Sequence, residues 1–245
     1  MLHLKLNSEW IDRLLPDGFP FPSSTLISGP GGSGKPLIAN FFAVAWLKNG
    51  GSVTFLLINS DKAYELKMLS LFGIRAQDYI GQLFFIDFNP EIVSIQETSG
   101  DSLSANLLKP DIWDKAVLIA RRRLDTRGPG NLLFGAALNL LLFSDTYREA
   151  VIDKLATSLQ NDNCIFSVST TVYKETILML ENAADNLMFA RSEKPMKLFM
   201  RIERMKNAAF LKEEVEVPLS EQELQGLRAE AETARKHLIP IISKI

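Results

Sequence analysis

The chain has 245 residues, 47% of them hydrophobic and 23% charged, which fits one large α/β domain with a substantial core and argues against disorder. Its 27 basic and 29 acidic side chains leave a net charge of -2, so no global field draws it toward nucleic acid or acidic lipid. One cysteine, Cys164, excludes an internal disulfide, and its apolar surroundings predict a buried core thiol in a reducing cytoplasm.

The first residues mix Lys5, Glu9, Asp12 and Arg13 with apolar ones, so no signal peptide is expected. The longest uncharged stretch, Gly128 to Ser144, contains two glycines, a proline and an asparagine at its start. What remains is about a dozen apolar-rich residues, short of the ~20 that a membrane helix needs. A soluble, cytoplasmic protein without membrane contact is the expectation.

In chain order, Thr25 to Ser28 reads as a short apolar strand that runs into a glycine-rich loop, and Leu37 to Leu47 (LIANFFAVAWL) as a helix covered on most sides. Asn49-Gly50-Gly51 stops that helix, and Ser52 to Ile58 reads as a buried parallel strand, completing a β-α-β unit. Ala63 to Phe72 is predicted helical and Leu83 to Asp87 a strand. Asn89 to Pro110, rich in Ser, Thr and Gly, is predicted to be a loop. A helix over Ile112 to Leu124 ends in Arg121-Arg122-Arg123, whose basic side chains either suit the helix dipole or meet nucleic acid or an acidic partner. Leu132 to Phe143 holds a buried strand and a Leu-rich continuation. Helix Arg148 to Gln160, strand Cys164 to Ser169, helix Lys174 to Asn182 and strand Asn186 to Ala190 follow. Lys197 to Met205 and Phe210 to Val217 form a hairpin-like pair. Alternating strands and helices predict a mostly parallel sheet wrapped on both faces.

The tail over residues 219–245 opens with Ser-Glu-Gln-Glu, a capping box in which Ser220 and Glu223 satisfy each other's helix-end donors. Leu224, Leu227, Ala231 and Leu238 share a stripe, and Glu232 and Lys236 form an i,i+4 pair. This helix either packs on its own domain or meets a protein partner. Without a repeat or linker, residues 1–245 are expected to form one domain.

The chemistry concentrates in one stretch. Gly29-Pro30-Gly31-Gly32-Ser33-Gly34-Lys35 matches the phosphate-binding pattern GxxxxGK, and Pro36 and Leu37 follow it. In such a loop the backbone N–H groups wrap phosphates, the lysine reaches the outer ones, and a terminal Ser or Thr hydroxyl holds Mg²⁺. Pro36 has neither hydroxyl nor N–H, although proline is tolerated in the first helical turn. His3 and His237 lie near opposite termini and support neither a metal site nor a nucleophile's base.

The opening of the chain resembles the KaiC and RadA branch of the RecA superfamily through Ile11-Asp12, Leu14-Leu15, Gly18-Phe19-Pro20, Leu26-Ile27 and the loop itself. Near the other end, Ala184-Asp185-Asn186-Leu187 resembles the family's alanine-aspartate-glycine turn. Ile202-Glu203-Arg204-Met205-Lys206 resembles the basic-Met-basic element that a neighbouring subunit sends toward the nucleotide. The resemblance implies a RecA-like core with a C-terminal hairpin and helix, ATP or ADP at residues 29–37, and a homo-oligomeric ring with Arg204 and Lys206 acting in trans.

The chain departs from that family where the chemistry is done. The catalytic glutamates after the second strand are replaced by Asn59-Ser60-Asp61, and the metal-holding aspartate by Gly135 or its alanine neighbours. With Pro36, both Mg²⁺ anchors are lost, and electrostatic stabilisation of a transferred phosphoryl group is left to Lys35 and a neighbour's cations. Two acids are candidate substitutes. Asp87 fits a metal-side carboxylate if its strand lies beside the loop strand, or else a turn-capping residue. Asp61 fits a displaced general base, or else a helix N-cap. The reading is a KaiC/RecA-like nucleotide-binding protein, regulatory or scaffolding, with weak or lost hydrolysis. The alternative is an active ring ATPase using Asp87 or Asp61, and nucleic acid is the least supported partner.

Overall fold

The structure is a computed structural model that describes residues 2–125, 127–193, 197–218 and 238–244. A short hairpin-like sheet pairs β1 (Leu2–Leu4) with β2 (Phe19–Phe21), on either side of helix α1 (Glu9–Asp12). Then come β3 (Ser24–Gly29), α2 (Lys35–Lys48), β4 (Ser52–Leu57), α3 (Lys62–Leu71) and β5 (Leu83–Phe88). They are followed by β6 (Gln96–Ser99), β7 (Ser102–Ala105), α4 (Pro110–Arg123), β8 (Asn131–Gly135) and α5 (Arg148–Asn161). The last elements are β9 (Cys164–Ser169), α6 (Lys174–Ala183), β10 (Asn186–Glu193), β11 (Lys197–Arg204) and β12 (Glu214–Glu216).

The large sheet has ten strands in the order β12-β11-β10-β3-β9-β8-β4-β5-β7-β6. Strands β10, β3, β9, β8, β4, β5 and β7 run parallel, and the antiparallel strands β11, β12 and β6 sit at the two edges. All residues of β3, β4 and β9 are buried, as central parallel strands covered on both faces require. One apolar layer joins α2 and α3 to the sheet through Ile38, Phe42, Trp46, Phe55 and Phe134. The opposite layer holds Trp113, Val151, Leu155, Phe166 and Leu180 from α4, α5, β9 and α6. Ile242 is buried in that second layer, with Leu238 and Ile239 packed against it. The tail's capping box and its Glu232–Lys236 pair lie outside the described residues.

Central-strand hydroxyls are tolerated because each has a partner. Ser24 Oγ accepts from the Asp185 amide at 3.0 Å, Thr25 Oγ1 accepts from Asn186 Nδ2 at 3.0 Å, and Ser28 Oγ donates to Glu181 Oε1 at 2.5 Å. Cys164 is fully buried, and desolvation pushes its thiol pKa well up.

The polar stretch 89–110 differs from expectation. It is not all loop: β7 adds to β5 in parallel, and β6 turns back antiparallel on β7. Leu103 and Ala105 face the core, while Ser102 Oγ bonds Thr98 Oγ1 at 2.8 Å and Ser99 Oγ at 2.6 Å, so the hydroxyls satisfy one another. The Leu-rich continuation after β8 is a 3₁₀ segment, Leu138–Phe143, whose first five residues are buried.

Candidate phosphate-binding site

The loop leaves the C-terminal end of β3 and turns into α2, as a strand-loop-helix phosphate cradle demands. Gly29 must be glycine, because a Cβ there would lie 2.1 Å from the Ala190 carbonyl oxygen on β10. Gly34 caps α2 in the left-handed region at φ 67°, and a Cβ there would meet Leu198 of β11 at 2.8 Å. Pro36 occupies the first turn of α2, where a missing N–H costs no helical bond.

The loop is held by groups of this same chain. Lys35, 6% exposed, donates from Nζ to Gly29 O at 2.9 Å, Pro30 O at 2.6 Å and Ser33 Oγ at 3.0 Å. The Gly31 amide donates to Thr171 Oγ1 at 3.2 Å, and Thr171 Oγ1 lies 3.0 Å from Ser169 Oγ. Ser192 Oγ donates to Gly32 O at 3.3 Å. The wall facing the loop is therefore built of hydroxyls from β9, the turn after it, and β10. The Ser169-Thr170-Thr171 run at the end of β9 is a signal that the sequence reading passed over.

Strand order decides which acids can help. Counting from β3, β9 is one step away, β8 two, β4 three and β5 four. At about 4.8 Å per step, Asp87 on β5 is roughly 19 Å to the side of the loop strand. The condition attached to Asp87, a strand beside β3, is not met, because β9, β8 and β4 intervene. Its carboxyl pKa is raised by burial first and by the Asp61 charge second. Asp61 caps α3, accepting from the Tyr64 amide at 2.8 Å, so its side chain is already used as a helix N-cap.

Arg204 and Lys206 sit at the opposite end of the sheet from the loop, since Arg204 pairs in register with Leu187 near the start of β10. Arg204 donates to the Glu181 and Ala184 carbonyls at the end of α6, and Lys206 Nζ pairs with Asp185 at 2.8 Å. Neither reaches this chain's own loop.

One acid was missed altogether. Glu65 on α3 is 1% exposed, accepts from Asn40 Nδ2 of α2 at 3.3 Å and from Ser60 Oγ at 3.0 Å, and its pKa rises to about 7, mainly through burial. Asn40 Nδ2 also donates to Pro36 O at 3.1 Å, so this acid is tied to the first turn of the loop helix. The clue in the sequence was Asn40 itself, the one polar residue in Leu37 to Leu47.

The residues present do not fit an anchored Mg²⁺. Pro36 lacks the hydroxyl and Gly135 lacks the carboxylate that the resemblance expects at those positions. The backbone donors and Lys35 fit an anion.

The structure matches the KaiC-like protein PH0186 of Pyrococcus horikoshii OT3 with a TM-score of 0.64 at 17% identity, over 89% of this chain and 95% of the other. The chain has a RecA-like fold. The flagellar accessory protein FlaH of Methanocaldococcus jannaschii matches with a TM-score of 0.63 at 16% identity, over 90% and 95% of the two chains. No protein-family model and no curated protein matches the sequence. Among the described residues no helix is long and apolar enough to cross a membrane.

Proposed function

We propose that this RecA/KaiC-like protein holds ATP or ADP at residues 29–37 without an anchored metal ion, and acts as a regulatory or scaffolding subunit whose hydrolysis is weak or lost. One observation carries the reading. The glycine-shaped loop and the buried Lys35 are intact, while the positions that would hold metal or activate water are Pro36, Ser60 and Gly135. Backbone N–H groups at a helix N-terminus favour phosphate without needing a cation. Phosphoryl transfer, by contrast, depends on positioned charge that this site does not supply.

Assembly with further copies in the cytoplasm belongs to the same proposal. Arg204 and Lys206 would have to leave Glu181, Ala184 and Asp185 to serve a neighbour's nucleotide. A protein partner for the C-terminal tail is proposed on the sequence alone.

The test is isothermal titration with ATP and with ADP, each with and without Mg²⁺, on the protein and on Lys35→Ala. Binding that needs Lys35 and is indifferent to Mg²⁺ is expected. Mg²⁺-dependent turnover at ordinary ATPase rates, abolished in Lys35→Ala, would overturn the proposal in favour of an active ATPase.

A further inference from the structure

We propose that Thr171 sets the affinity of the phosphate site: its hydroxyl competes with the phosphate chain for the Gly31 N–H and sets how strongly an anion must bind to enter. This rests on the nucleotide reading of residues 29–37.

The geometry is specific. Gly31 lies at the exposed crest of the loop, where its amide is one of the donors that a phosphate oxygen would take, and that amide donates to Thr171 Oγ1 at 3.2 Å. The hydroxyl is itself fixed, 3.0 Å from Ser169 Oγ, and the Thr171 amide lies 3.4 Å from that same oxygen. Ser169 is fixed in turn, because its amide donates to the buried Asn139 Oδ1 at 2.9 Å. A chain of hydrogen bonds thus runs from the 3₁₀ segment after β8, through the end of β9, to the loop of β3.

Two further contacts support the same closed arrangement from the other side. Ser192 Oγ reaches Gly32 O at 3.3 Å, and Leu198 covers Gly34. Lys35 Nζ is bound to Gly29 O, Pro30 O and Ser33 Oγ, so the second phosphate-gripping donor also has protein partners. An incoming anion must replace these oxygens, and its affinity is its intrinsic affinity multiplied by the fraction of molecules whose loop donors are open. A neutral hydrogen bond has a modest net worth, so removing Thr171 Oγ1 releases about 3- to 10-fold in affinity.

The experiment compares the full chain with Thr171→Val, which keeps the branched shape and loses the hydroxyl, and with Thr171→Ser, which keeps the hydroxyl. ATP and ADP affinities are measured by calorimetry, amide exchange at Gly31 by NMR, and folding by thermal melting. Thr171→Val is expected to bind about 3- to 10-fold more tightly and to exchange Gly31 faster, with Thr171→Ser close to the parent. Unchanged or weaker binding in Thr171→Val, with parental Gly31 exchange, overturns the proposal. If none of the three proteins binds either nucleotide, the nucleotide reading fails. This inference then falls with it, whereas equal binding by all three proteins leaves the nucleotide reading standing and overturns this inference alone.

Discussion

Glu65→Gln isolates a strong electrostatic perturbation of a buried carboxyl tied to the loop helix. Glu65 is buried against Asn40 and Ser60, and its pKa is raised from 4.5 to about 7. Below the lower value both folded and unfolded chains carry the proton, and burial has no ionisation cost. Between the two values the unfolded chain releases a proton that the folded chain keeps, so stability falls as pH rises; above about 7 the loss is complete. A shift of this size at about 1.36 kcal/mol per unit amounts to roughly 3 kcal/mol. Glutamine removes the titration, while its Oε1 still accepts one of the two hydrogen bonds. Urea unfolding of both proteins at about pH 5 and pH 8.5, with equal m-values as the control, measures the difference. The advantage of Gln over Glu is expected to grow by about 2 to 3 kcal/mol between those pH values. Parallel profiles, or a gap that widens as pH falls, would refute the assignment of a buried carboxyl that resists ionisation.

Pro36→Thr restores both an N–H and a hydroxyl at the first turn of α2. It is expected to raise ATP affinity several-fold in calorimetry without creating Mg²⁺-dependent turnover, because Gly135 still offers no carboxylate. Arg204→Ala leaves the carbonyls of Glu181 and Ala184 without their donor, and is expected to cost about 1 to 3 kcal/mol in denaturant unfolding. Asp87→Asn and Asp61→Asn are expected to leave nucleotide affinity within about twofold of the parent, since neither carboxylate lies beside the loop strand.

Local order was legible in the sequence, and lateral order was not. The unit β3-loop-α2-β4 could be read within a residue or two, because its strands are continuous apolar runs and its glycines punctuate both turns. Strands β6 and β7 escaped because their serines pair with one another at a sheet edge, leaving Leu103 and Ala105 as the only buried alternation. Asp87 looked plausible because four apolar residues precede it. Its distance from the loop is set by three intervening strands, which no local pattern records. Glu65 drew no attention within its predicted helix, because only the packing of α3 on α2 brings it against Asn40.

Pro36, Ser60 and Gly135 each take part in the packing around them. Pro36 starts α2 and offers its carbonyl to Asn40. Ser60 donates to the buried Glu65, a role that a glutamate at that place would turn into a clash of two carboxylates. Gly135 lies under the 3₁₀ segment, so that a Cβ there would be 2.9 Å from Leu138 Cδ1, and an aspartate needs that side chain to move. A carboxylate at position 60 or 135 would therefore require its neighbours to adjust, while the loop itself is held within the chain by Lys35. A fold whose core is held by apolar layers and paired strand hydroxyls draws its stability from those layers and not from the chemistry of the loop.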